Sequence, residues 1–462
     1  MSFQSNYKKI SEFIILLVII LSGFITTAVF KLNNFPTFSS LDEMLWYSRS
    51  AVFWNKMCAF DFSGLVQSLQ PGVTVYWFTG FLMKFIDFDF KDVGRRIAEK
   101  EMEGLDFNAV VNTNSAETYE IYSGASFAFN APLFLLTAIF FILFYYLLRR
   151  LKFNKVISSL TVFFVATNYF FVYWNTPSDK MLNFFLVLSF LTFLVYVGGA
   201  KNRHTEGDIT LRYACSLRNA IARKKYLILS AVFGAWAVLA KISAMFILPF
   251  YFLAFIFYAW PLDKQKIKSI IKDYLSWIII FVFVCVIFLP SIIVNPSEIY
   301  NLFFDGSEDS VVNQNYSGEG YVSGLSDYFT LLVNVTFMSP AVFYFFLIFL
   351  FLKFKKKYRY LFSSLPKKHL QTIAVFITLF ILMVTVLCSN HDTRFMSPAF
   401  MLINIFSAIG VYAFARMIKE KFKFPEAIYP VAIFVLFLSQ LMMIISSGHL
   451  IKEAMKKVSG VE

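Results

Sequence analysis

Long apolar runs separated by shorter polar connections dominate the chain. Nine of them are long enough to cross a hydrocarbon layer of ~30 Å as helices. They fall near residues 13–30, 126–148, 156–174, 181–199, 274–293, 329–352, 371–388, 395–414 and 427–447. A further run, 226–260, would overshoot that layer as one helix, so we divide it at Lys241 into a hairpin of two spans. The pattern predicts an all-α polytopic membrane protein of about eleven transmembrane helices.

Two connections are much longer than the others. Residues 31–125 are predicted to form a first outer loop with amphipathic juxtamembrane helices, and residues 294–328 a flexible, acidic outer loop that covers a site. Neither connection indicates a soluble domain. We therefore expect residues 1–462 to form a single membrane domain.

Charge supports this topology. The chain has a net charge of +13 and 58% hydrophobic residues. With a cytoplasmic N-terminus, 28 of the 42 Lys and Arg lie in predicted cytoplasmic segments and 22 of the 29 acids lie outside. Treating 226–260 as one span would place segment 294–328, which has six acids and no Lys or Arg, in the cytoplasm. The basic excess is thus a topology signal, and a nucleic-acid partner is not indicated.

The start of the first outer loop carries the leading candidates for chemistry. Ser40 and Glu43 have the spacing of a capping box, which predicts that a helix begins here. Asp42 then lies in the first turn, where the helix dipole favours an anion. It shares one face with three residues at helical spacing: Trp46, Arg49 and Phe53. The helix is amphipathic and is expected to lie along the membrane surface. Capping explains Glu43, so Asp42 is the stronger catalytic candidate.

Three more charged residues lie at predicted outer helix ends. Lys241 either extends its amine to the outer face or holds an anion there, because an unpaired Lys at the bilayer centre costs ~3 kcal/mol or more. Arg394 is suited either to forking two phosphate oxygens or to anchoring a span at the interface. Asp179 is a site residue or a helix cap. No metal cluster is indicated, although carboxylates of the two outer loops leave a divalent cation possible.

The order of these motifs resembles the GT-C glycosyltransferases. Asp42-Glu43, followed by Gln70-Pro71-Gly72, resembles their first outer loop. The segment Ala237 to Pro249, which contains Lys241, resembles the small-residue hairpin of glycosyltransferase family 39, and Arg394-Phe395-Met396-Ser397-Pro398 resembles that family's Arg-Tyr-x-x-Pro segment. This branch includes protein O-mannosyltransferases and lipid A aminoarabinose transferases. Two residues depart from it: Gln70 replaces a His or Lys, and Phe395 replaces Tyr.

The resemblance implies a polyprenyl-phosphate sugar donor, an acceptor on the outer side, and inversion at the anomeric carbon. The acceptor can be a protein, a lipid or a polysaccharide. Asp42 is the expected base, with Glu43 assisting or capping, and the lipid phosphate is expected to be bound by Arg394, Lys241 and Arg49. Asp179 and Gln70 are expected to position donor or acceptor. One base is enough, because a lipid phosphate leaves as a stable anion, unlike the alkoxide that a glycosidase must protonate.

Other classes remain open at this stage. A transporter or lipid flippase should show charged or helix-breaking residues at mid-membrane in matched positions of two halves. Here the ionisable residues cluster at predicted outer helix ends, and the sequence indicates no intramembrane acid at the depth of Lys241. A non-enzymatic assembly subunit should tolerate loss of Asp42. An O-antigen polymerase or ligase should carry several outer arginines. The preferred location is a bacterial inner membrane, with undecaprenyl phosphate as the lipid carrier and a role in the cell envelope.

Overall fold

The computed structural model describes residues 17–18, 21, 41–65, 72–83, 116–168, 177–198, 209–300, 340–387 and 397–422. Regular structure in these ranges is helical, without a strand. The chain divides into two compact units. Unit 1 comprises Met1–Phe35, Phe141–Asn175 and Gly318–Glu462, and unit 2 comprises Pro36–Phe140 and Thr176–Ser317.

The α-helices follow one another without intervening sheet in the described ranges. In chain order they are α1 (Leu41–Cys58), α2 (Val73–Met83), α3 (Ala116–Arg150), α4 (Lys155–Ala166), α5 (Pro177–Gly198), α6 (Ile209–Ala240), α7 (Ile247–Ala259), α8 (Lys264–Phe288), α9 (Ser291–Val294), α10 (Pro296–Tyr300), α11 (Pro340–Phe354), α12 (Lys367–Leu387) and α13 (Ser397–Phe422). Short 3-10 helices occupy Ser63–Leu65, Ile242–Phe246 and Lys356–Phe362.

Several of these helices are long and apolar enough to cross a membrane. Five qualify among the described residues: Phe129–Arg150, Ser178–Gly198, Ile242–Ala259, Lys264–Phe288 and Ser397–Lys421. A sixth results if Lys356–Phe362 and Lys367–Met383, which meet at 102°, form one broken span. The all-α membrane architecture is therefore as predicted. The predicted run at 13–30 is described only at residues 17–18 and 21, and the run at 427–447 lies outside the described residues. The total of eleven spans stays a prediction.

Helix α5 is the centre of unit 2. Its sequence is apolar on every side, which is typical of a helix surrounded by protein, and 89% of its apolar window is buried. Its few hydroxyl groups are hydrogen-bonded: Ser189 donates to the Ser230 carbonyl at 2.7 Å and also bonds the Tyr251 hydroxyl at 2.8 Å. Trp277 donates to the Ser230 hydroxyl at 3.2 Å. This buried network connects α5, α6, α7 and α8.

Unit 1 is built around α13, whose candidate span is 83% buried. Gly410 lets α11 cross it closely, since a Cβ at that position would lie 2.0 Å from the Phe345 carbonyl oxygen. Helix α4 also packs on α13 and begins with the Asn154 side chain accepting the Ile157 N–H at 2.8 Å. Helix α4 ends at Ala166, so it covers only the first part of the predicted span 156–174.

Candidate functional site

Helix α1 begins where the capping box predicts. Its first residue is Leu41, which places Asp42 and Glu43 in the first turn. Two residues of the predicted face are buried, Trp46 at 3% exposure and Phe53 at 0%. Both rings pack against Tyr76 of α2, with centroid distances of 5.7 Å and 5.2 Å. Complete burial of such a ring contributes roughly 1.5–3 kcal/mol, so this pairing fixes the position of α1.

Gly72 brings the second motif of the first outer loop against the start of α1. Its φ is +52°, a left-handed conformation that favours glycine. A Cβ on Gly72 would lie 2.0 Å from Cζ3 of Trp46, so the backbone lies directly on the indole ring. Trp46 is one helical turn after Asp42, and Arg49 lies over the same ring with its guanidinium carbon 5.8 Å from the centroid. Gly72 is therefore close to the turn that follows the carboxylate pair.

Helix α2 joins these residues to the ends of α6 and α8. The Thr74 hydroxyl donates to the Trp236 carbonyl at 2.7 Å. The Trp77 indole donates to the Phe288 carbonyl at 2.9 Å, and the Ser291 hydroxyl donates to the Phe62 carbonyl at 2.5 Å. The first outer loop, the end of α6 and the end of α8 therefore meet at one end of unit 2. Each of these segments is predicted to reach the outer face.

Lys241 and Asp179 form a buried ion pair at this end. The Lys241 Nζ lies 2.7 Å from Oδ1 of Asp179, and the two side chains are only 9% and 2% exposed. Asp179 lies in the first turn of α5, where the helix dipole favours its negative charge. Helix α6 ends at Ala240, and Lys241 adopts an extended conformation with φ −157° and ψ 129°. The chain thus breaks at Lys241, as the division of the 226–260 run predicts.

The ion pair bears on two predictions about Lys241: that no acid lies at its depth, and that its amine either holds an anion or extends to the surface. The expectation that no acid lies at the depth of Lys241 is wrong, because Asp179 meets it from another helix. Of the two alternatives for Lys241, holding an anion or extending to the surface, the structure has the first, and the anion is Asp179. A buried charge without a partner would cost several kcal/mol, and pairing offsets most of that cost.

Asn183 is a buried polar residue of this region that was not among the predicted site residues. It lies one helical turn after Asp179 on α5 and is 0% exposed. Neither its Nδ2 nor its Oδ1 has a hydrogen-bond partner in the part of the chain that the structure describes. An amide within an otherwise apolar helix, one turn from a candidate acid, was the signal in the sequence that pointed to it.

Some predicted site residues lie beyond the described part of the chain. Gln70 and Arg394 are outside it, and for Asp42 and Glu43 only the backbone is described. The structure therefore brings together Trp46, Arg49 and Gly72, and separately Lys241 and Asp179. Among the described residues, no group of three or more His, Cys, Asp or Glu has the arrangement of a metal site.

Comparison with known proteins finds similarity in fold. No protein-family model and no curated protein sequence matches the chain. Among solved structures, the archaeal oligosaccharyltransferase AglB from Archaeoglobus fulgidus, in complex with an inhibitory peptide and a dolichol-phosphate, has a TM-score of 0.51 at 13% identity. The alignment covers 96% of this chain and 56% of AglB.

Two further structures of the Archaeoglobus fulgidus enzyme give the same result. The complex with Zn and sulfate has a TM-score of 0.51 at 15% identity and covers 94% of this chain and 53% of the enzyme. The apo form has a TM-score of 0.50 at 12% identity, and the alignment covers 96% of this chain and 55% of the enzyme. The chain spans about half the length of these proteins, and at such low identity the similarity concerns the fold alone.

Proposed function

We propose that this protein is an integral-membrane glycosyltransferase that moves a sugar from a polyprenyl-phosphate donor to an acceptor on the extracytoplasmic face. The observation that supports this most strongly is that the Gly72–Trp46 contact, one helical turn after Asp42, and the Lys241–Asp179 pair lie at the same end of unit 2, where α2 bonds the end of α6. The fold shared with AglB, a protein solved with a dolichol-phosphate, favours the same class of donor.

The proposed chemistry is a single displacement with inversion. The acceptor oxygen attacks the anomeric carbon and forms the new glycosidic bond while the bond from that carbon to the phosphate oxygen breaks. The acceptor's proton passes to the Asp42 carboxylate, and the lipid phosphate leaves as an anion. Since that anion is stable without protonation, general-base catalysis and stabilisation of the departing phosphate are the two tasks of the site.

The remaining candidates take supporting roles. Arg394 and Arg49 bind the lipid phosphate, and the Lys241 amine, held in place by Asp179, is the third proposed ligand of that phosphate. Asp179 thereby acts through Lys241, while Gln70 positions the donor or acceptor. Glu43 caps α1 or assists Asp42.

We also propose a family and a location for the protein. The protein is a relative of glycosyltransferase family 39 with about eleven spans and a cytoplasmic N-terminus. It lies in a bacterial inner membrane, uses undecaprenyl phosphate as the carrier and modifies a component of the cell envelope.

A transporter or lipid flippase is the second candidate, and one observation favours it. Transporters keep paired charges inside the membrane region, and Lys241 and Asp179 are such a pair. The pair nevertheless lies at the end of α6 and in the first turn of α5, at the end of a candidate span rather than in its middle. That placement fits a site at a membrane face better than a transport path.

An assay in detergent separates the two functions, because a transporter makes no chemical product there. Purified protein is incubated with radiolabelled undecaprenyl-phosphate sugars and a membrane extract as the source of acceptor. The proposal expects label to leave the lipid and appear in acceptor, with release of free undecaprenyl phosphate. If donors are bound yet never cleaved, the glycosyltransferase proposal fails and transport becomes the better account.

A further inference from the structure

The outward face of α8 changes abruptly from basic to apolar along its length. Lys264, Lys268 and Lys272 are exposed and follow one another at intervals of four residues, so they share one helix face. The same face then carries exposed apolar residues: Leu275 at 51%, Ile279 at 67% and Val282 at 50% exposure. Such a change, from amines to hydrocarbon within one turn, corresponds to the boundary between lipid headgroups and acyl chains.

In the part of the chain that the structure describes, the three lysines have no charged partner. The acid that precedes them, Asp263, caps α8 by accepting the Lys266 N–H at 2.8 Å, and it pairs with the Lys266 amine at 3.3 Å. The backbone hydrogen bond from Lys266, with the nearby amine, lowers the pKa of Asp263, so that acid stays ionised and engaged with Lys266. No ion pair of Lys264, Lys268 or Lys272 occurs within the described ranges.

Local helix energetics does not account for these positions. Lys264 and Lys268 occupy the first turns of α8, where the positive end of the helix dipole disfavours cations. The start of the apolar part of α6 adds exposed Lys224 and Lys225 to the same end of unit 2. The two helices pack on each other, and the guanidinium carbon of Arg223 lies 4.7 Å from the ring centroid of Tyr196 on α5. The result is a concentration of positive charge just beyond an apolar surface.

We propose that this basic face of α8 binds the headgroups of anionic phospholipids. The three lysine amines contact the lipid phosphates, and they extend over ~12 Å of the helix axis, because eight residues separate Lys264 from Lys272. The acyl chains of the same lipids lie against Leu275 and Ile279. The inference does not rest on the glycosyltransferase proposal, because these residues are at the opposite end of α8 from Phe288 and the first outer loop.

Trp260 provides a local reporter. It lies four residues before Lys264, between α7 and α8, and is 70% exposed. Full-length protein is reconstituted in vesicles of phosphatidylcholine that contain increasing fractions of either brominated phosphatidylglycerol or brominated phosphatidylcholine, which quench indole fluorescence on contact. Subtracting the signal of Trp260→Phe isolates the fluorescence of this residue.

The expected result is lipid selectivity that depends on the lysine charges. Each lysine near an anionic surface increases local enrichment about fivefold, so brominated phosphatidylglycerol should reach half-maximal quenching at a several-fold lower fraction than brominated phosphatidylcholine. The preference should disappear in Lys264→Gln/Lys268→Gln/Lys272→Gln and persist in the matched triple Arg variant. Should the triple Gln variant fail to fold, Lys268→Glu and its matched control Lys268→Arg give the same comparison.

Three outcomes would overturn the proposal. One is equal quenching by the two brominated lipids, which would mean that the lysine amines contact water and do not bind anionic headgroups. Another is a preference that survives the triple Gln substitution, which would locate the lipid elsewhere. The third is loss of the preference on addition of millimolar inorganic phosphate, which would indicate a site for the free anion rather than for a lipid.

Discussion

At the level of single residues, the buried pair of Lys241 and Asp179 has the clearest energetic role. Both side chains are largely removed from solvent and lie 2.7 Å apart. The attraction offsets the cost of burying the charges, so the pair contributes little net stability, whereas removing one partner leaves an uncompensated charge. The pair therefore specifies where α6 ends and how it meets α5.

Single and double substitutions test this role. Lys241→Met should lower the free energy of unfolding by about 3–5 kcal/mol, because the Asp179 carboxylate stays buried and loses the Lys241 amine. The double variant Lys241→Met/Asp179→Asn should recover a large part of that loss. Denaturant-induced unfolding of the purified protein measures both, with Lys224→Met at an exposed position as the control. Equal stability of Lys241→Met and the wild type would contradict the role given to the pair.

The sequence predicts the chain break at Lys241 but not its pairing with Asp179, because the two residues are far apart along the chain. Length and charge alone mark Lys241 as a break in the 226–260 run, and α6 indeed ends at Ala240. Its partner is 62 residues away, beyond the reach of any helical spacing, and neither residue type is unusual at a helix end. The pairing is decided by the packing of α5 on α6, which local pattern does not encode.

At the level of elements, the packing of α1 on α2 positions Asp42, the leading catalytic candidate. Trp46 is held between Gly72 and Tyr76, and the Trp54 indole donates to the Tyr76 carbonyl at 2.7 Å. Gly80 allows close approach further along, since a Cβ there would lie 2.7 Å from Cβ of Ser50. Any change that displaces Trp46 therefore also displaces the turn that carries Asp42.

Substitution of Gly72 tests this packing of α1 on α2. Gly72→Ala should destabilise the protein by roughly 1–3 kcal/mol, because the new methyl group overlaps the Trp46 ring, with an added penalty for positive φ. Thermal unfolding measures the loss. Gly72→Asn separates the two causes, since Asn tolerates positive φ but also brings a Cβ. Near wild-type stability of Gly72→Asn would show that only the backbone conformation matters and that the contact with Trp46 does not.

The elements themselves were predicted unevenly. A capping box gave the start of α1 within one residue, because side-chain and backbone groups only three positions apart decide it. The run 156–174 was predicted as a full span, whereas α4 is a 12-residue helix. Apolar composition does not distinguish a membrane span from a shorter helix buried in protein, and most of α4 is buried.

At the level of the whole molecule, hydrophobic length and the distribution of charge were enough for the fold class. They predicted an all-α membrane protein, and the described residues are helical with five candidate spans. The similarity to AglB concerns the fold alone. The division into two compact units, with unit 2 formed by segments on both sides of Phe141–Asn175, was not predicted. Contacts such as that of Thr74 with Trp236, which are 162 residues apart, depend on the complete fold.

The most direct test of the account is the transfer reaction with the base removed. Wild type, Asp42→Asn and the matched control Glu43→Gln are compared under single-turnover conditions with a labelled polyprenyl-phosphate sugar and acceptor extract. The account predicts that Asp42→Asn lowers the rate of transfer about 10²–10⁴-fold with donor binding preserved, while Glu43→Gln retains most activity. Transfer by Asp42→Asn at the wild-type rate would contradict the proposed site.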